Sequence, residues 1–323
     1  MKRFLILTIS LLICTMLFSV QSSGSPAEQA IKVSYVGESS STDPVWSYRV
    51  KLLEEQAKEN GIDFVYRYAE GDYSRHVRMI DEEIARGVDA LVMPLWDPNI
   101  YNEVIVKAVE KGIYVFGIMG FAPRSSLPDN VLNKCGWIEI DQVDWGRDMG
   151  KISFEYVPDG GKVFWPAEVP SATYITEVIQ GFEEYFDEQG KKCSIIVVEV
   201  TNDPTTAASR VTSFIIANRD TNAIITSGAI AAEASCVALG GLNMTSGSIP
   251  IIGQVTSPST AAAIASGMMP VGLNMDDADA AQIVISDVIA VVRDGKEPTR
   301  KSVGYVTINK DNLEEVVPES QRK

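Results

Sequence analysis

Short apolar runs alternate with helix-like stretches along the first part of the chain. The runs read IKVSYVG, DFVYRYA, DALVMP and IYVFGIM, between residues 31 and 119. Between them, apolar residues recur every three or four positions, as they do on one face of an α-helix. Apolar strands separated by amphipathic helices predict a parallel sheet that is covered by helices on both faces.

The first of these helices is preceded by an unusual loop. Trp46, Val50 and Leu53 lie at helical spacing, and Asp43 followed by Pro44 suits an N-cap and a first helical position. The loop before them, within GESSSTDPVW, is rich in serine and directly follows the first strand-like run. Because ligands of open α/β sheets bind at the ends of strands, this loop is a candidate binding segment.

The alternation stops at an irregular stretch, residues 120–134, and then restarts. The runs GWIEI, KVFWP, SIIVVEV, NAIITSG, IPIIGQV and PVGLN are each followed by a helix-like stretch, and VGYVTI comes near the end. The two halves therefore share one layout. The pattern predicts an α/β protein with two similar Rossmann-like lobes, each built on a parallel sheet.

The chain begins with the order of residues that is typical of a secretory signal peptide. Lys2 and Arg3 precede an uncharged apolar run, residues 4–20, and small residues follow it. This order predicts a signal peptide over residues 1–24 that is cleaved on export to a periplasm. The run is also close to the lower length limit of a membrane span, so an uncleaved anchor is the alternative.

The charge and the scarce metal-ligating residues exclude several classes of partner. The chain carries 28 basic and 43 acidic side chains, a net charge of −15, whereas nucleic-acid binding needs clustered Lys and Arg. Its single histidine and widely spaced cysteines form no zinc pattern and no disulfide framework. We therefore expect no nucleic-acid partner, no metal and no cofactor.

Three segments, in their order and spacing, resemble a known family. They are GESSSTDPVW, WIEIDQVDWGRDMG and KVFWPAEVPSATYITEVIQGFEEYF, and the likeness covers residues 31–310. The chain resembles the periplasmic sugar-binding proteins of ABC importers, of the ribose- and galactose-binding type. The resemblance implies a type 1 periplasmic binding protein fold, a monomer whose two lobes are joined by a three-strand hinge and close over a small-molecule ligand. It assigns residues 25–139 and 276–305 to the N-terminal lobe, and residues 140–275 and 306–323 to the C-terminal lobe.

Most of the polar residues with which that family grips sugars are absent at the matching positions. Met119 stands where an Asp–Arg pair is usual, Val178 where an arginine is usual, and Val255 where an aspartate is usual. Gly228 and Met275 stand where an asparagine and a glutamine are usual. A sugar hydroxyl that is buried against these apolar residues without a partner costs about 1–3 kcal/mol. We therefore do not expect ribose or glucose to be held by the family's usual hydrogen bonds.

Aromatic and acidic residues on the predicted cleft loops replace that polar clamp. Aromatic faces stack on a sugar, a base or a cation, and carboxylates accept hydrogen bonds from hydroxyls or amines. For the aspartates helix capping is an alternative role, and for the first tryptophan core packing is one. The candidate ligand-binding residues are Asp43, Trp46, Trp96, Met119, Phe121, Arg124, Trp165, Glu168, Tyr174, Asp203, Gly228, Asn274 and Asp276.

The sequence predicts no catalytic site. The only histidine, His76, lies on a charged helix-like stretch, and the chain has no G-x-S-x-G elbow, no Walker phosphate loop and no G-x-G-x-x-G after its first strand. The same two-lobe fold forms the effector domain of lac-repressor-type regulators. Those carry a helix-turn-helix at the N-terminus, where this chain has the signal-peptide pattern.

The sequence thus predicts a periplasmic solute-binding protein that delivers a sugar or polyol to the permease of an ABC importer and is not an enzyme. In this mechanism the ligand stabilises the closed state through contacts that only this state provides. Two alternatives stay open. In the first, the protein is a periplasmic sensor that presents its ligand to a chemoreceptor or kinase. In the second, the ligand is a nucleoside, a furanone-type signal or an aromatic compound.

Overall fold

The computed structural model describes residues 30–41, 43–95, 98–118, 127–171, 173–244 and 246–323. Within these residues there are twelve strands and twelve helices, arranged on two six-stranded sheets. The predicted signal peptide, residues 1–24, lies outside the described residues and stays a prediction.

The first sheet has the strand order β11-β5-β4-β3-β1-β2, and its pairings are parallel. Its strands are β1 (Lys32–Gly37), β2 (Asp63–Tyr68), β3 (Ala90–Met93), β4 (Tyr114–Ile118), β5 (Cys135–Glu139) and β11 (Arg300–Ser302). The helices that accompany it are α1 (Pro44–Glu59), α2 (Tyr73–Arg86), α3 (Pro98–Glu110), α4 (Asp129–Leu132) and α10 (Asp277–Asp294). Helix α10 packs against α1, β4 and β5, although it comes late in the chain.

The second sheet has the order β12-β10-β9-β8-β6-β7, and only its β10–β12 pairing is antiparallel. Its strands are β6 (Gly161–Ala167), β7 (Cys193–Glu199), β8 (Ala223–Ile225), β9 (Ile251–Gly253), β10 (Val271–Met275) and β12 (Tyr305–Ile308). Its helices are α5 (Gln142–Ser153), α6 (Thr173–Glu188), α7 (Pro204–Ala217), α8 (Ala229–Gly241), α9 (Pro258–Ser266), α11 (Leu313–Val316) and α12 (Glu319–Arg322).

The chain passes between the two sheets after β5, after β10 and after β11, and backbone hydrogen bonds join these three segments. The Val303 N–H donates to the Glu139 carbonyl oxygen at 2.8 Å, and the Asp276 N–H donates to the Gly304 carbonyl oxygen at 3.1 Å. The third crossing comes slightly before the predicted lobe boundary. Tyr305, which that boundary places in the first lobe, pairs with β10 in the second sheet.

Side chains cap several helices at the starts that the sequence predicts. Oδ1 of Asp43 accepts hydrogen bonds from the backbone N–H groups of Val45 (2.9 Å) and Trp46 (3.1 Å). Asp203 and Asp276 cap α7 and α10 in the same way. The elements that sequence reasoning missed are β11, α4, α11 and α12, each only three or four residues long. Such lengths are too short to show a hydrophobic period.

Helices α5 and α6 pack backbone against backbone, which only glycine permits. A Cβ atom at Gly146 of α5 would lie 2.0 Å from the carbonyl oxygen of Val178. A Cβ atom at Gly181 of α6 would lie 1.9 Å from the carbonyl oxygen of Val143. Because α5 is the first helix after the chain leaves the first sheet, this contact determines how the second lobe begins.

We expect Gly146→Ala to lower the free energy of unfolding, because the added methyl group meets backbone that has no side-chain rotamer to change. Overpacking of this kind costs about 1–3 kcal/mol, which denaturant titration of the purified protein measures. Gly240→Ala is the matched control. A Cβ atom at Gly240 of α8 has no atom within 4 Å, so alanine there should be neutral or stabilising by up to about 1 kcal/mol. Equal losses in the two variants would contradict the close contact.

His76 is a buried structural residue that fixes the end of β1. Its side chain is inaccessible to solvent. Its Nε2 donates to the carbonyl oxygen of Val36, 2.9 Å away, and its Nδ1 accepts from the hydroxyl of Tyr101, 3.0 Å away. Burial lowers the pKa of His76 below its usual 6.5, with the hydrogen bond to Val36 acting in the opposite direction. The ring is therefore neutral at pH 7 and supports the strand that precedes the serine-rich loop.

We expect His76→Phe to be less stable than the wild type at pH 7.5, because the Val36 carbonyl loses its imidazole donor. A loss of this kind costs about 1–3 kcal/mol. Below pH 6.5 the unfolded wild type takes up a proton that its folded state binds less readily, so the wild type loses stability. The variant lacks this titrating imidazole. The difference in unfolding free energy between the wild type and the variant should therefore be smaller at pH 5.5 than at pH 7.5. A difference that stays constant or grows would contradict this assignment.

Candidate functional site

The parallel strands of each sheet direct their carboxyl ends to one edge, and the following helices begin there. In the first sheet the segment after β1 leads into α1. In the second sheet the segments after β6, β8 and β9 lead into α6, α8 and α9. Loops and helix N-termini at such an edge present backbone N–H groups and short polar side chains to a ligand. The polar atoms at the two carboxyl edges are therefore candidates for ligand contact.

Several buried polar atoms at these edges have no hydrogen-bond partner within the part of the chain that the structure describes. They are Ser39 Oγ after β1, Gln142 Oε1 at the start of α5, Glu168 Oε2 after β6, and Thr226 Oγ1 and Ser227 Oγ after β8. Other such atoms lie within strands and helices, at Ser34, Tyr35, Trp145 and Trp165. Nearly all buried polar groups in folded proteins are paired, so a set of unpaired ones at strand ends needs an explanation.

Glu168 is the most polar member of this set. It is buried, with 7% of its surface exposed, and its Oε1 accepts a hydrogen bond from the backbone N–H of Ala231 in α8 at 2.9 Å. Gly228, the N-cap residue of α8, has no side chain and so leaves space for the carboxylate. A Cβ atom at this position would lie 2.0 Å from Oε2. Burial raises the pKa of Glu168, and the backbone hydrogen bond from Ala231 acts in the opposite direction.

The candidate aspartates lie at the carboxyl edges, as expected from their positions after strands. Asp43 caps α1, Asp203 caps α7 and Asp276 caps α10, in each case through Oδ1. Capping is therefore confirmed for all three. Capping does not exclude ligand contact, which stays a prediction for these residues.

Trp46 and Trp165, the described candidate tryptophans, both pack in the core. The guanidinium of Arg49 lies 4.8 Å from the centre of the Trp46 ring. The same Arg49 forms an ion pair with Asp277 of α10, with 2.8 Å between Nε and Oδ1. Trp165 is fully buried and meets Phe182 edge to face, with 5.5 Å between ring centres. Ligand contact by either indole stays a prediction.

The ion pair between Arg49 and Asp277 joins α1 to α10 next to the crossing segments. Burial raises the pKa of the Asp277 carboxyl, and the neighbouring Arg49 guanidinium acts in the opposite direction. The pair also keeps the Arg49 guanidinium over the face of Trp46. It thereby orients the first turns of α1, which follow the serine-rich loop.

Asn274 holds a loop of the second lobe in place. Its Oδ1 accepts from the backbone N–H of Val255 and its Nδ2 donates to the carbonyl oxygen of the same residue, each at 2.8 Å. Val178 and Val255 are fully buried within hydrophobic clusters, and Met275 is almost so. Hydrophobic packing therefore accounts for the apolar residues at these three positions.

Five candidate residues cannot be placed in the site. Trp96, Met119, Phe121 and Arg124 lie outside the described residues, and Tyr174 is described only as part of the α6 backbone. Sequence reasoning in turn missed Ser39, Gln142, Thr226 and Ser227. The available signal was their position, since each comes at or just after the end of an apolar run.

A cavity of about 290 Å³ lies beside the crossing segments. Tyr48 and Arg49 of α1 line it on one side, and Gln254, Val316 and Gln321 line it on the other. The cavity therefore lies between residues of the first lobe and residues of the second lobe. Its lining is distinct from the set of unpaired atoms at the strand ends.

The described residues contain no group of three or more His, Cys, Asp or Glu side chains that could hold a metal ion. Cys135, Cys193 and Cys236 are free thiols. Among the helices that the structure describes, none has the length and apolar character needed to cross a membrane.

Solved structures similar to this chain share its two-lobe architecture. A periplasmic ribose ABC transporter protein from Conexibacter woesei is 21% identical, with a TM-score of 0.75 over 89% of this chain and 94% of that one. The Caulobacter myo-inositol binding protein, bound to myo-inositol, is 17% identical, with a TM-score of 0.76 over 90% and 97%. A solute-binding protein from Agrobacterium vitis, bound to α-D-tagatopyranose, is 19% identical, with a TM-score of 0.77 over 88% and 97%.

These similarities show the fold, which consists of two α/β lobes with mostly parallel sheets, as in type 1 periplasmic binding proteins. No curated protein matches the chain in sequence. The profile of the periplasmic binding protein domain matches residues 33–297. Since that match spans more than half of the 323 residues, the chain belongs to the periplasmic binding protein domain family.

Proposed function

We propose that the protein is a periplasmic solute-binding protein that captures a sugar or polyol between its lobes and delivers it to an ABC importer. The observation that carries the proposal is the set of unpaired buried polar atoms at the carboxyl edges of both sheets. A sugar hydroxyl both donates and accepts hydrogen bonds. A ligand with several hydroxyls can therefore pair with serine and threonine hydroxyls, an amide oxygen and a carboxylate oxygen together.

The distribution of these atoms over both lobes supports a closing mechanism. Ser39 follows a strand of the first sheet, and Glu168 and Ser227 follow strands of the second. A ligand that bonds to both edges makes all of its contacts only when the lobes are close together. It stabilises the closed state by this difference in contacts.

The solved structures favour the same ligand class. The similar proteins include a ribose ABC transporter protein and proteins bound to myo-inositol and to α-D-tagatopyranose. These are neutral compounds rich in hydroxyl groups. The polar residues that usually grip sugars in the resembled family are absent here, so we propose that the unpaired atoms form a different clamp for a related ligand.

We propose binding without chemistry. Both ring nitrogens of His76 are engaged in hydrogen bonds within the fold, so the ring is not available as a base. Burial raises the pKa of the Cys135 and Cys236 thiols to about 12, so neither is a thiolate nucleophile at pH 7. The protein acts as a monomer in the periplasm, after cleavage of a signal peptide over residues 1–24.

Ligand binding by the mature chain, residues 25–323, tests this function. We expect at least one member of a panel of pentoses, hexoses and cyclic polyols to raise the unfolding temperature and to give a saturable calorimetric titration. A ligand at 100 times its dissociation constant adds about 2.7 kcal/mol of stability. Nucleosides, small amines and aromatic acids form the comparison panel. Binding confined to that comparison panel would contradict the proposed ligand class.

A further inference from the structure

We propose that Glu168 is a specificity-determining residue that accepts a hydrogen bond from one hydroxyl of the ligand through its Oε2 atom. The inference rests on the proposed function and makes it more specific. It restricts the ligand to neutral compounds with a free hydroxyl at the position next to Oε2, and it excludes anionic relatives such as sugar acids and sugar phosphates.

One half of the carboxylate has a structural role. Helix α8 begins at Gly228, an N-cap residue that has no side chain to accept a backbone hydrogen bond. Glu168 supplies the missing acceptor from β6, since its Oε1 lies 2.9 Å from the Ala231 nitrogen. The N-terminal end of a helix favours a negative charge, so the carboxylate is well placed at this point.

The other half of the carboxylate has no hydrogen-bond partner of good geometry among the described residues. Oε2 of Glu168 is buried, which raises the pKa of the carboxyl, and the backbone N–H groups of Ile230 and of Glu168 itself lower that pKa without forming such a bond to Oε2. A carboxylate oxygen only accepts, so its missing partner must donate. Leaving a buried charged acceptor unpaired is costlier than leaving a neutral one unpaired. A structural cap would need one oxygen only, and the unpaired second oxygen therefore points to a ligand.

Gly228 makes this arrangement possible. A Cβ atom at this position would lie 2.0 Å from Oε2 and 2.2 Å from Oε1. Any side chain would therefore displace the carboxylate from the start of α8. Glu168 and Gly228 act as a pair, in which the glycine provides the space and the glutamate provides the acceptor.

Neighbouring groups favour a hydroxyl as the donor. Thr226 and Ser227 follow β8 directly before Gly228, and their buried hydroxyls also have no partner in the described chain. A polyol can donate to Oε2 of Glu168 and accept from these hydroxyls at the same time. An ammonium group donates but cannot accept. An anionic ligand group would meet like charge at Glu168.

The test compares the wild type with Glu168→Gln, using the sugar or polyol that binds most tightly. Glutamine has the same shape, and its oxygen can still accept from Ala231, so the cap on α8 is retained. Its NH₂ group replaces Oε2 and reverses the hydrogen-bonding polarity there. The ligand hydroxyl then exchanges a charge-assisted hydrogen bond for a neutral one from the new NH₂ group, which should weaken binding about 10-fold. Glu155→Gln, at an exposed glutamate, is the matched control and should bind as the wild type does.

Single-deoxy analogues of the same ligand give a second measurement that needs no variant to fold. One analogue should bind the wild type more weakly by a similar factor, and Glu168→Gln should weaken that analogue no further. If the wild type binds a sugar or polyol and Glu168→Gln binds it equally well, this inference is wrong while the proposed function stands. If the wild type binds only amines, anions or aromatic compounds, both are wrong.

Discussion

The need of every buried polar group for a hydrogen-bond partner organises this structure. Most such groups are paired by neighbours from distant parts of the chain. His76 binds the end of β1, Asn274 binds the segment after β9, and Asp277 pairs with Arg49 across two helices. Each of these pairings holds a segment at or next to a carboxyl edge. Several polar atoms that have no hydrogen-bond partner among the described residues lie at those same edges, and we propose that a ligand provides the missing partners.

The topology explains why one ligand can meet both sets of groups. Three chain segments cross between the sheets side by side, and hydrogen bonds join them at Val303 and Asp276. Such a connection permits bending while it keeps each sheet intact. The close packing of α5 on α6 at Gly146 makes the beginning of the second lobe stiff. We propose that motion is concentrated in the crossings and that ligand contacts determine the closed position.

The sequence alone was sufficient to predict the two-lobe architecture and several helix N-caps. Strongly periodic segments gave helices within a few residues of those observed, and Asp43, Asp203 and Asp276 cap helices as their positions after strands suggest. These are local features, in which a residue and its partner are a few positions apart. The short elements β11, α4, α11 and α12 show no period, since contacts with distant residues stabilise them.

The candidate site was less accessible to sequence reasoning, because its features depend on contacts between distant segments. The contact between Glu168 and the start of α8 joins residues 63 positions apart. The sequence makes Gly228 a candidate ligand-binding residue, but only the structure shows that its missing side chain leaves space for the Glu168 carboxylate. Trp46 and Trp165 stay predicted ligand contacts, and the structure adds that their rings pack against Arg49 and Phe182. Periodicity cannot distinguish a ring that faces a cleft from one that faces the core.

A crystal structure of the mature protein with its tightest-binding sugar or polyol would show whether one ligand bridges the two lobes. We expect that ligand to form hydrogen bonds with residues at the carboxyl edges of both sheets, with a ligand hydroxyl about 2.5–3.0 Å from Oε2 of Glu168. A ligand bound to one lobe only would contradict the proposed closing mechanism. So would a ligand in the cavity between α1 and the C-terminal helices, with the atoms at the strand ends still unpaired.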